Sequence, residues 1–320
     1  MKVENKKKIV QFSINNMALL FFLVLFLYNS IATPNFFSVV TVRNLINQST
    51  ALILVALGAT LIISAGCIDI SLGSGFCWGA VVFGLTVQST GSIILALLIS
   101  IVSAIVVGLI NGYLVGRFSI QPMIVTMAMM YILRSISKAV TECAVVRFGT
   151  SEIKSFVTLK LFGVVPIQLF IAIIATVLVF IIVKKSKLGI YLEACGNNLN
   201  AAKTVGIKTV LCIVAAYIIG NILACLGGIY DASVVSSVDP TKLGLEFEFR
   251  AIAAVVIGGT PIDGGRPNVI GTVFGVFILK LISMMIQMNN ISSEWSYVVT
   301  AVIIIFAILV QNFSKIRGRD

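Results

Sequence analysis

Histidine is absent from the 320-residue sequence, and charged residues make up only 11% of it. Soluble domains carry about 25% charged residues, so the scarcity of charge excludes an ordinary soluble enzyme of this length. Histidine is the commonest metal ligand and a frequent general base, and its absence argues against catalysis and metal chemistry. The sequence is instead rich in apolar residues, since 59% of it is hydrophobic. This composition predicts a polytopic membrane protein.

Motifs for energy conversion and metal binding are also missing. The sequence has no GxxxxGKS or GxxxxGKT phosphate-binding loop, and its six cysteines form no CxxC pair. We therefore expect no enzyme activity, no cofactor and no metal, and we interpret the cysteines as small buried hydrophobes. Energy for transport must then come from an ion gradient or from a separate ATPase. Ion-coupled transporters place several ionisable side chains inside their spans; these spans hold almost no acids, which favours the ATPase.

Ten apolar segments predict an all-α membrane protein. A helical span needs about 20 residues, so residues 1–320 hold about ten spans and little else, and we treat them as a single transmembrane domain. Two segments differ from a plain span, because one is rich in glycine and one is too short to cross alone; they predict helices broken at glycine-rich motifs. The segments lie near residues 16–33, 45–66, 73–90, 92–116, 122–140, 164–183, 209–230, 251–260, 267–288 and 296–311.

Lysine and arginine set the predicted orientation. Four lysines precede the first span, and cytoplasmic loops are enriched in such residues, so residues 1–15 are predicted to be cytoplasmic. Ten spans then return residues 312–320 to the cytoplasm and place the lysine-rich loop 184–208 there as well. The net charge of +11 is spread over the ends of apolar runs rather than gathered on one domain, so it predicts topology and no nucleic-acid partner.

Glycine-rich turns interrupt the apolar helices twice. Within Gly66–Gly75 (GCIDISLGSG), Asp69 has two interpretations. It marks a broken helix near a transport pathway, since a carboxylate at membrane depth faces a cavity or a partner, or it lies in a short solvated cytoplasmic turn. Within Ile257–Gly271 (IGGTPIDGGRPNVIG), glycine pairs bracket Asp263 and Arg266. The two segments are alike, which indicates either an internal repeat, as in transporter folds, or an ordinary turn with a local Asp–Arg pair.

The segment Tyr230–Arg250 is predicted to lie outside the cell and is acidic. It forms either the wall of an outer vestibule or docking surface, or a solvated external loop. The candidates for the vestibule or for docking a binding protein are Asp239, Glu246 and Glu248. Two basic residues, Arg134 and Lys280, lie within apolar runs, and their long side chains are expected to reach the membrane surface; the alternative is a direct role in transport.

The longest predicted cytoplasmic segment, residues 184–208, is not low in complexity. Asn197 or Asn198 can cap a helix N-terminus, because asparagine accepts hydrogen bonds from free backbone amides. Residues 198–205 then form about two turns, and Gly206 offers the stop. The segment therefore predicts a short helix along the inner membrane surface, where an ATPase would contact it.

Four segments in combination resemble the permease subunits of bacterial ATP-binding-cassette importers for monosaccharides, the ribose, xylose and galactose group. They are GCIDISLGS, NGYLVGRFSIQPMIVTMAMMYILRSI, LGIYLEACGNNLNAAKTVGI and GLEFEFRAIAAVVIGGTPIDGGR. The likeness covers residues 45–311, and its Gly-Gly-Arg ending is most similar to galactofuranose-type permeases. Cys67 and Cys195 each replace a usual glycine of the family.

The resemblance implies a division of labour in the bacterial cell membrane. Two permease subunits, identical or different, form the pathway through the lipid bilayer, a separate ATPase hydrolyses ATP on the cytoplasmic face, and an extracytoplasmic binding protein delivers the sugar. The residues implied for the ATPase-coupling loop are Glu193, Gly196, Asn197, Ala201, Ala202 and Gly206. The polar candidates for the pathway are Asp69, Ser71, Asn111 and Thr126.

Sugars are usually held by several hydrogen-bonding groups and an aromatic face, and no such cluster is evident in the spans. Related permeases carry autoinducer-2, nucleosides or branched-chain amino acids, so these are the alternative cargoes. A secondary transporter is the alternative class.

Overall fold

The computed structural model of the protein describes residues 17–33, 36–161, 165–292, 294–296, 298–303, 305 and 309. Over these residues the chain is mostly helical, which confirms the predicted all-α class. The helices are α1 (Met17–Ala32), α2 (Val39–Ser64), α3 (Leu72–Thr90), α4 (Ile93–Phe118), α5 (Pro122–Val140), α6 (Ser151–Thr158), α7 (Ile167–Lys185), α8 (Lys187–Asn197), α9 (Leu199–Thr204), α10 (Thr209–Val235), α11 (Phe247–Ile257) and α12 (Val269–Met288). The predicted cytoplasmic ends, 1–15 and 312–320, lie outside the described residues.

Seven of the described helices are long and apolar enough to cross a membrane: α2, α3, α4, α5, α7, α10 and α12. The helix α1 is apolar and has 16 residues within the described part of the chain. The segment predicted at 251–260 forms α11, which begins earlier and has 11 residues. The described part of the predicted last span, 296–311, is helical. The predicted polytopic membrane architecture is therefore confirmed, with helices interrupted at the glycine-rich motifs.

The long helix α10 is the centre of the bundle and packs against α2, α3 and α4. Two of these contacts bring backbones together. A Cβ on Gly58 of α2 would lie 2.8 Å from the Gly220 carbonyl oxygen, and a Cβ on Gly108 of α4 would lie 2.6 Å from the Ile218 Cα. Small residues of this kind allow membrane helices to approach closely, so glycine fixes how near the helices around α10 come.

The connections between helices fall on two sides of the bundle. Side A carries residues 184–208, which form α8 and α9; the short helix predicted at 198–205 is α9, whereas α8 was not predicted. Side B carries residues 141–161, which include α6, also not predicted. Four two-residue strands occur in the described residues. They are β1 (Val146–Arg147), β2 (Lys160–Leu161), β3 (Val165–Pro166) and β4 (Ser237–Val238), and they pair antiparallel as β1 with β4 and β2 with β3.

Candidate functional site

The turn between α2 and α3 holds Asp69 inside the protein. The helix α2 ends at Ser64, Gly66 adopts a left-handed φ of 76°, and α3 begins at Leu72. Asp69 Oδ1 accepts hydrogen bonds from the Ser71 amide at 2.7 Å and from the Ser71 hydroxyl at 2.5 Å. Asp69 is only 2% exposed. The alternative of a solvated turn is therefore wrong, and the helix is broken around a buried carboxylate.

Side chains from α4, α5 and α10 converge on this turn. Asn221 Nδ2 donates to Asp69 Oδ2 at 3.2 Å, and Asn111 Nδ2 donates to Ser71 Oγ at 3.0 Å. Thr126 Oγ1 accepts a hydrogen bond at 3.1 Å from the backbone amide that follows Asp69. The four polar residues considered for the pathway thus meet in one place. The Asp69 network comprises Asp69, Ser71, Asn111, Thr126, Tyr217 and Asn221.

Two members of the Asp69 network were not predicted. The Tyr217 hydroxyl donates to the Ile68 carbonyl at 3.4 Å, and Asn221 lies one turn further along α10. Both lie in the apolar middle of α10, and their i, i+4 spacing, which places them on one helix face, is the local signal. The expectation that the spans hold no cluster of hydrogen-bonding groups is wrong, because the cluster forms between segments far apart in sequence.

Two amide oxygens of the Asp69 network have no hydrogen-bond partner within the described residues. They are Oδ1 of Asn111 and Oδ1 of Asn221, and the two residues are 0% and 1% exposed. Buried polar groups are nearly always paired with protein or water. Both oxygens are enclosed, so the hydroxyl group of water or of a polar solute reaches them only when the helices around the Asp69 network separate. The donors of the network also offset the cost of a carboxylate at membrane depth.

Residues 239–246 enter the bundle beside the Asp69 network. Arg134 donates to the carbonyls of Leu243 and Gly244, at 2.5 Å each. The expectation that Arg134 reaches the membrane surface is therefore wrong, because its guanidinium binds backbone carbonyls inside the protein. A Cβ on Gly73 would lie 2.7 Å from the Gly244 carbonyl oxygen. The start of α3 and the segment before α11 thus touch through glycine.

The three acidic residues considered for a vestibule or docking surface differ in their surroundings. Glu246 is exposed, whereas Asp239 is half-buried and accepts hydrogen bonds from the Thr241 amide at 2.9 Å and hydroxyl at 2.5 Å. These hydrogen bonds lower the pKa of Asp239, and the one that the Thr241 hydroxyl donates has the largest effect. Glu248 is only 5% exposed and packs against the start of α3. Its burial does not fit a docking surface, because the chain turns inward here instead of forming a solvated loop.

On side A, three glycine-rich segments pack backbone on backbone. The Gly265 amide donates to the Ser64 carbonyl at 3.0 Å. A Cβ on Gly264 would lie 2.8 Å from the Cα atoms of both Gly66 and Gly196. The two glycine-rich turns that look alike in sequence are thus in contact, and α8 packs over both. The glycine junction comprises Gly66, Gly196, Gly264 and Gly265.

An ion pair ties α8 to the turn before α12. Arg266 Nε lies 3.2 Å from Glu193 Oε1. The Arg266 side chain is 89% exposed and the Glu193 side chain 35% exposed, and exposed ion pairs of this kind contribute about 0–1 kcal/mol. The pair therefore contributes little to the position of α8, and the glycine contacts fix how close α8 comes to the glycine junction.

The residues implied for ATPase coupling lie on α8, on α9 and in the turn after α9. Asn198 is the cap of α9, since its Oδ1 accepts a hydrogen bond from the Ala201 amide at 3.0 Å. Gly206 follows α9 with a left-handed φ of 84°. These residues divide into exposed Asn197, Ala201 and Gly206, half-buried Glu193 and Gly196, and buried Ala202. Ala202 packs inside the protein, so the surface of side A that a partner can contact is formed by the other five residues.

Comparison with known proteins places residues 41–308 in the family described as "Branched-chain amino acid transport system / permease component". The chain is 31% identical over 313 residues to the galactofuranose transporter permease protein of Escherichia coli (strain K12), covering 93% of this chain and 91% of that protein. It is 30% identical over 300 residues to the ribose import permease protein of the same strain, covering 92% of each. No solved structure matches the chain significantly.

A third relative is the galactose/methyl galactoside import permease protein of Escherichia coli (strain K12), at 31% identity over 310 residues, 89% of this chain and 90% of that protein. The match to the family extends over most of the chain, from before the broken helix at Asp69 to beyond α12. The resemblance seen in the sequence is thereby confirmed. The chain belongs to the family of membrane transport permeases described as "Branched-chain amino acid transport system / permease component".

Proposed function

We propose that the protein is the transmembrane pathway subunit of an ATP-driven importer for a monosaccharide. The observation that carries the proposal is the set of relatives named for galactofuranose, ribose and galactose, each aligned over about nine-tenths of the chain. Sugars are polyhydroxyl solutes. When the helices that enclose it separate, the Asp69 network offers such a solute a carboxylate and two amide oxygens that lack partners within the described residues.

We infer that the chain is not an enzyme and that a separate ATPase supplies the energy. The exposed residues of α8 and α9, with Gly206, form the surface that such an ATPase would press on. Residues 184–208 carry five lysines, which supports a cytoplasmic side A under the positive-inside rule. The residues 1–15 and 312–320 are assigned to the same side. Side B then faces the binding protein, and a second permease subunit completes the pathway.

The glycine junction is the proposed link between the ATPase and the pathway. A displacement of α8 acts on Gly66 and on Gly264 together, since Gly196 packs against both. Gly66 lies three residues before Asp69, so the same displacement acts on the Asp69 turn. In physical terms, the ATPase shifts the populations of two states of the broken helices.

Reconstitution tests the proposal. The permease, an ATPase and a binding protein encoded beside it are placed in vesicles, and uptake of labelled D-ribose and D-galactose is measured with and without ATP. We expect uptake that requires ATP and the binding protein. Uptake without ATP that follows a proton or sodium gradient contradicts the proposal. Labelled leucine is the comparison cargo, because the family description names branched-chain amino acids; transport of leucine in place of sugar rejects the monosaccharide.

A further inference from the structure

A cavity of about 240 Å³ lies between α2, α11, α12 and residues 296–301. It is on the side-B half of the bundle, because it is lined by the first residues of α11 and by the second half of α12. None of its lining residues belongs to the Asp69 network. Sites for drug-sized ligands occupy about 300–1,000 Å³, so this volume suits a smaller molecule.

The cavity wall combines hydrogen-bonding groups with an aromatic side chain. Lys280 and Arg250 supply donors, Glu246 supplies acceptors, and the Thr300 hydroxyl supplies both. The Ser283 hydroxyl supplies an acceptor, because its hydrogen is donated to the Leu279 carbonyl. Phe249 contributes an aromatic face at the same wall. A ring of hydroxyl groups with apolar C–H faces matches this mixture, because its hydroxyls both donate and accept while its C–H face packs on the aromatic ring.

Charge around the cavity is balanced. Lys280 lies within the span α12, where a charged side chain is costly and commonly marks a substrate path. Its electrostatic neighbours are Asp231, which attracts its ammonium, and Arg250, which repels it. Glu246 provides the negative charge at the wall itself, whereas Asp231 does not line the cavity and acts on it through Lys280. With Asp231 included, two cations face two anions, so a neutral ligand is favoured over an anionic one.

The helix α11 connects this cavity to the interior. Phe249 and Arg250 line the cavity, whereas the preceding residue, Glu248, is buried against the start of α3. The helix α11 therefore lines the cavity with one face and with another contacts the start of α3 at Gly73, two residues after Ser71 of the Asp69 network. A single helix thus joins the cavity wall to the segment that carries the Asp69 network.

We propose that this cavity binds a neutral monosaccharide before it reaches the Asp69 network. The inference rests on the proposed function, and it names the place where the sugar first contacts the permease. The occupant is identified by its chemistry: a small, uncharged ring with several hydroxyls. Lys280 was expected to reach the membrane surface, whereas the structure places it at the cavity wall.

Cysteine protection tests the inference. Five of the six free cysteines are buried and Cys143 is exposed, so Ser283→Cys in a Cys143→Ser background introduces an alkylation site at the cavity. The full chain in lipid nanodiscs is treated with a maleimide in the presence of D-galactose, D-ribose or D-galacturonate. We expect at least one neutral sugar to slow alkylation about tenfold at saturation. The matched control is Ser103→Cys on α4, another half-buried serine whose hydroxyl donates within its own helix; its alkylation should not change.

Two further variants separate binding from folding. Lys280→Met removes the ammonium and keeps the length of the side chain, and it should weaken protection about tenfold, the usual scale for a hydrogen bond to a charged group. Thr300→Val keeps the shape of the threonine and should weaken protection by a smaller factor. Protection that is unchanged in both variants overturns the assignment of the cavity wall.

The remaining outcomes distinguish the cavity from the proposed function. No protection by either neutral sugar, or protection by D-galacturonate alone, overturns the inference. If ATP-dependent uptake of the same labelled sugar persists in vesicles while protection is absent, the cavity assignment fails and the importer function stands. If neither protection nor ATP-dependent uptake occurs, the proposed function fails as well.

Discussion

Two turns of this protein share a local structure and differ in their surroundings. In each, an aspartate accepts hydrogen bonds from the amide and the hydroxyl of the residue two positions later: Asp69 from Ser71, and Asp239 from Thr241. This is the local hydrogen bonding by which aspartate side chains stabilise turns. In each, a Leu-Gly pair follows within five residues.

The surroundings decide what each turn becomes. Asp69 is 2% exposed and has Asn221 on its second oxygen, with Asn111 on Ser71. Asp239 is half-buried near side B, just after β4. The same short pattern therefore produces a carboxylate site inside a membrane protein in one place and an ordinary connecting turn in the other. The difference lies in helices that are distant in sequence and close in space.

The largest expected difference between the turns is in stability. Asp69→Ala leaves three donors without their acceptor, and each buried unpaired donor costs about 1–3 kcal/mol. Asp239→Ala removes one partly exposed turn, and we expect a cost of about 0.5–1.5 kcal/mol. Thermal unfolding of the purified chain in detergent, followed by fluorescence, measures both. Equal shifts of the unfolding midpoint would show that the Asp69 network contributes no stability beyond that of the local turn.

The asparagines of the Asp69 network give the next largest effect. Asn221→Ala removes a donor to the carboxylate and one of the two free amide oxygens, so we expect sugar uptake to fall about tenfold. The control is Asn29→Ala, since Asn29 is also a buried helix asparagine but bonds to Leu25 far from the network. Radiolabelled uptake by vesicles, corrected for the amount of permease, compares them. A similar loss in both variants would indicate a general packing effect instead.

A pair of left-handed glycines tests the proposed coupling surface, which comprises the exposed residues of α8 and α9 with Gly206. Gly206 and Gly91 have φ angles of 84° and 70°, and no atom lies within 4 Å of a Cβ built at either. A leucine at each position costs about 1–2 kcal/mol of backbone strain, and its Cβ lies in open space. We expect Gly206→Leu to leave ATP hydrolysis intact while sugar uptake falls several-fold, because the side chain projects from the coupling surface on side A.

Gly91→Leu, in the turn between α3 and α4, is the control for Gly206→Leu. It carries the same kind of strain on the opposite side of the bundle and should leave uptake coupled to ATP hydrolysis. The ratio of sugar transported to ATP consumed is the readout. An unchanged ratio in Gly206→Leu removes residues 184–208 from the coupling mechanism.

The smallest expected effect concerns pH and the Asp239 turn. Hydrogen bonding from Thr241 lowers the pKa of Asp239 in the folded protein. A lowered folded-state pKa contributes stability above the unfolded value, about 3.9 for aspartate, and this contribution is lost as the pH falls through the folded-state pKa. Thr241→Val should therefore be less stable than the unsubstituted protein near neutral pH, and the gap should narrow in acid. Midpoints of unfolding over a pH series test this, and a gap that widens in acid contradicts it.

The sequence allowed the local features of this protein to be predicted. The cap at Asn198 and the stop at Gly206 follow from backbone rules that act within a few residues, and α9 lies where they place it. The helix α8 was not predicted, because Gly189 and Gly196 lower its intrinsic helix propensity. In the structure both glycines are in tight contact with neighbouring backbone. The packing of α8 therefore requires glycine at positions where helix propensity disfavours it.

The parts of the site that depend on distant segments were not predictable from one sequence. Asp69 was identified from its glycine-rich setting, whereas Asn221 stands alone in an apolar helix and only its contact with Asp69 reveals its role. Glu248 was expected at a surface because acidic residues rarely lie inside. It is buried because the chain before α11 turns inward, where Arg134 binds its carbonyls.

The most direct test of the account is sugar uptake by the assembled importer with the two aspartates neutralised in turn. Asp69→Asn preserves an acceptor for Ser71 and removes the buried charge; Asp239→Asn makes the same change at the matching turn. We predict that uptake falls about tenfold or more in Asp69→Asn, at normal permease levels, and stays within about twofold of the unsubstituted protein in Asp239→Asn. Equal uptake by the two variants would contradict a role for the Asp69 network in transport.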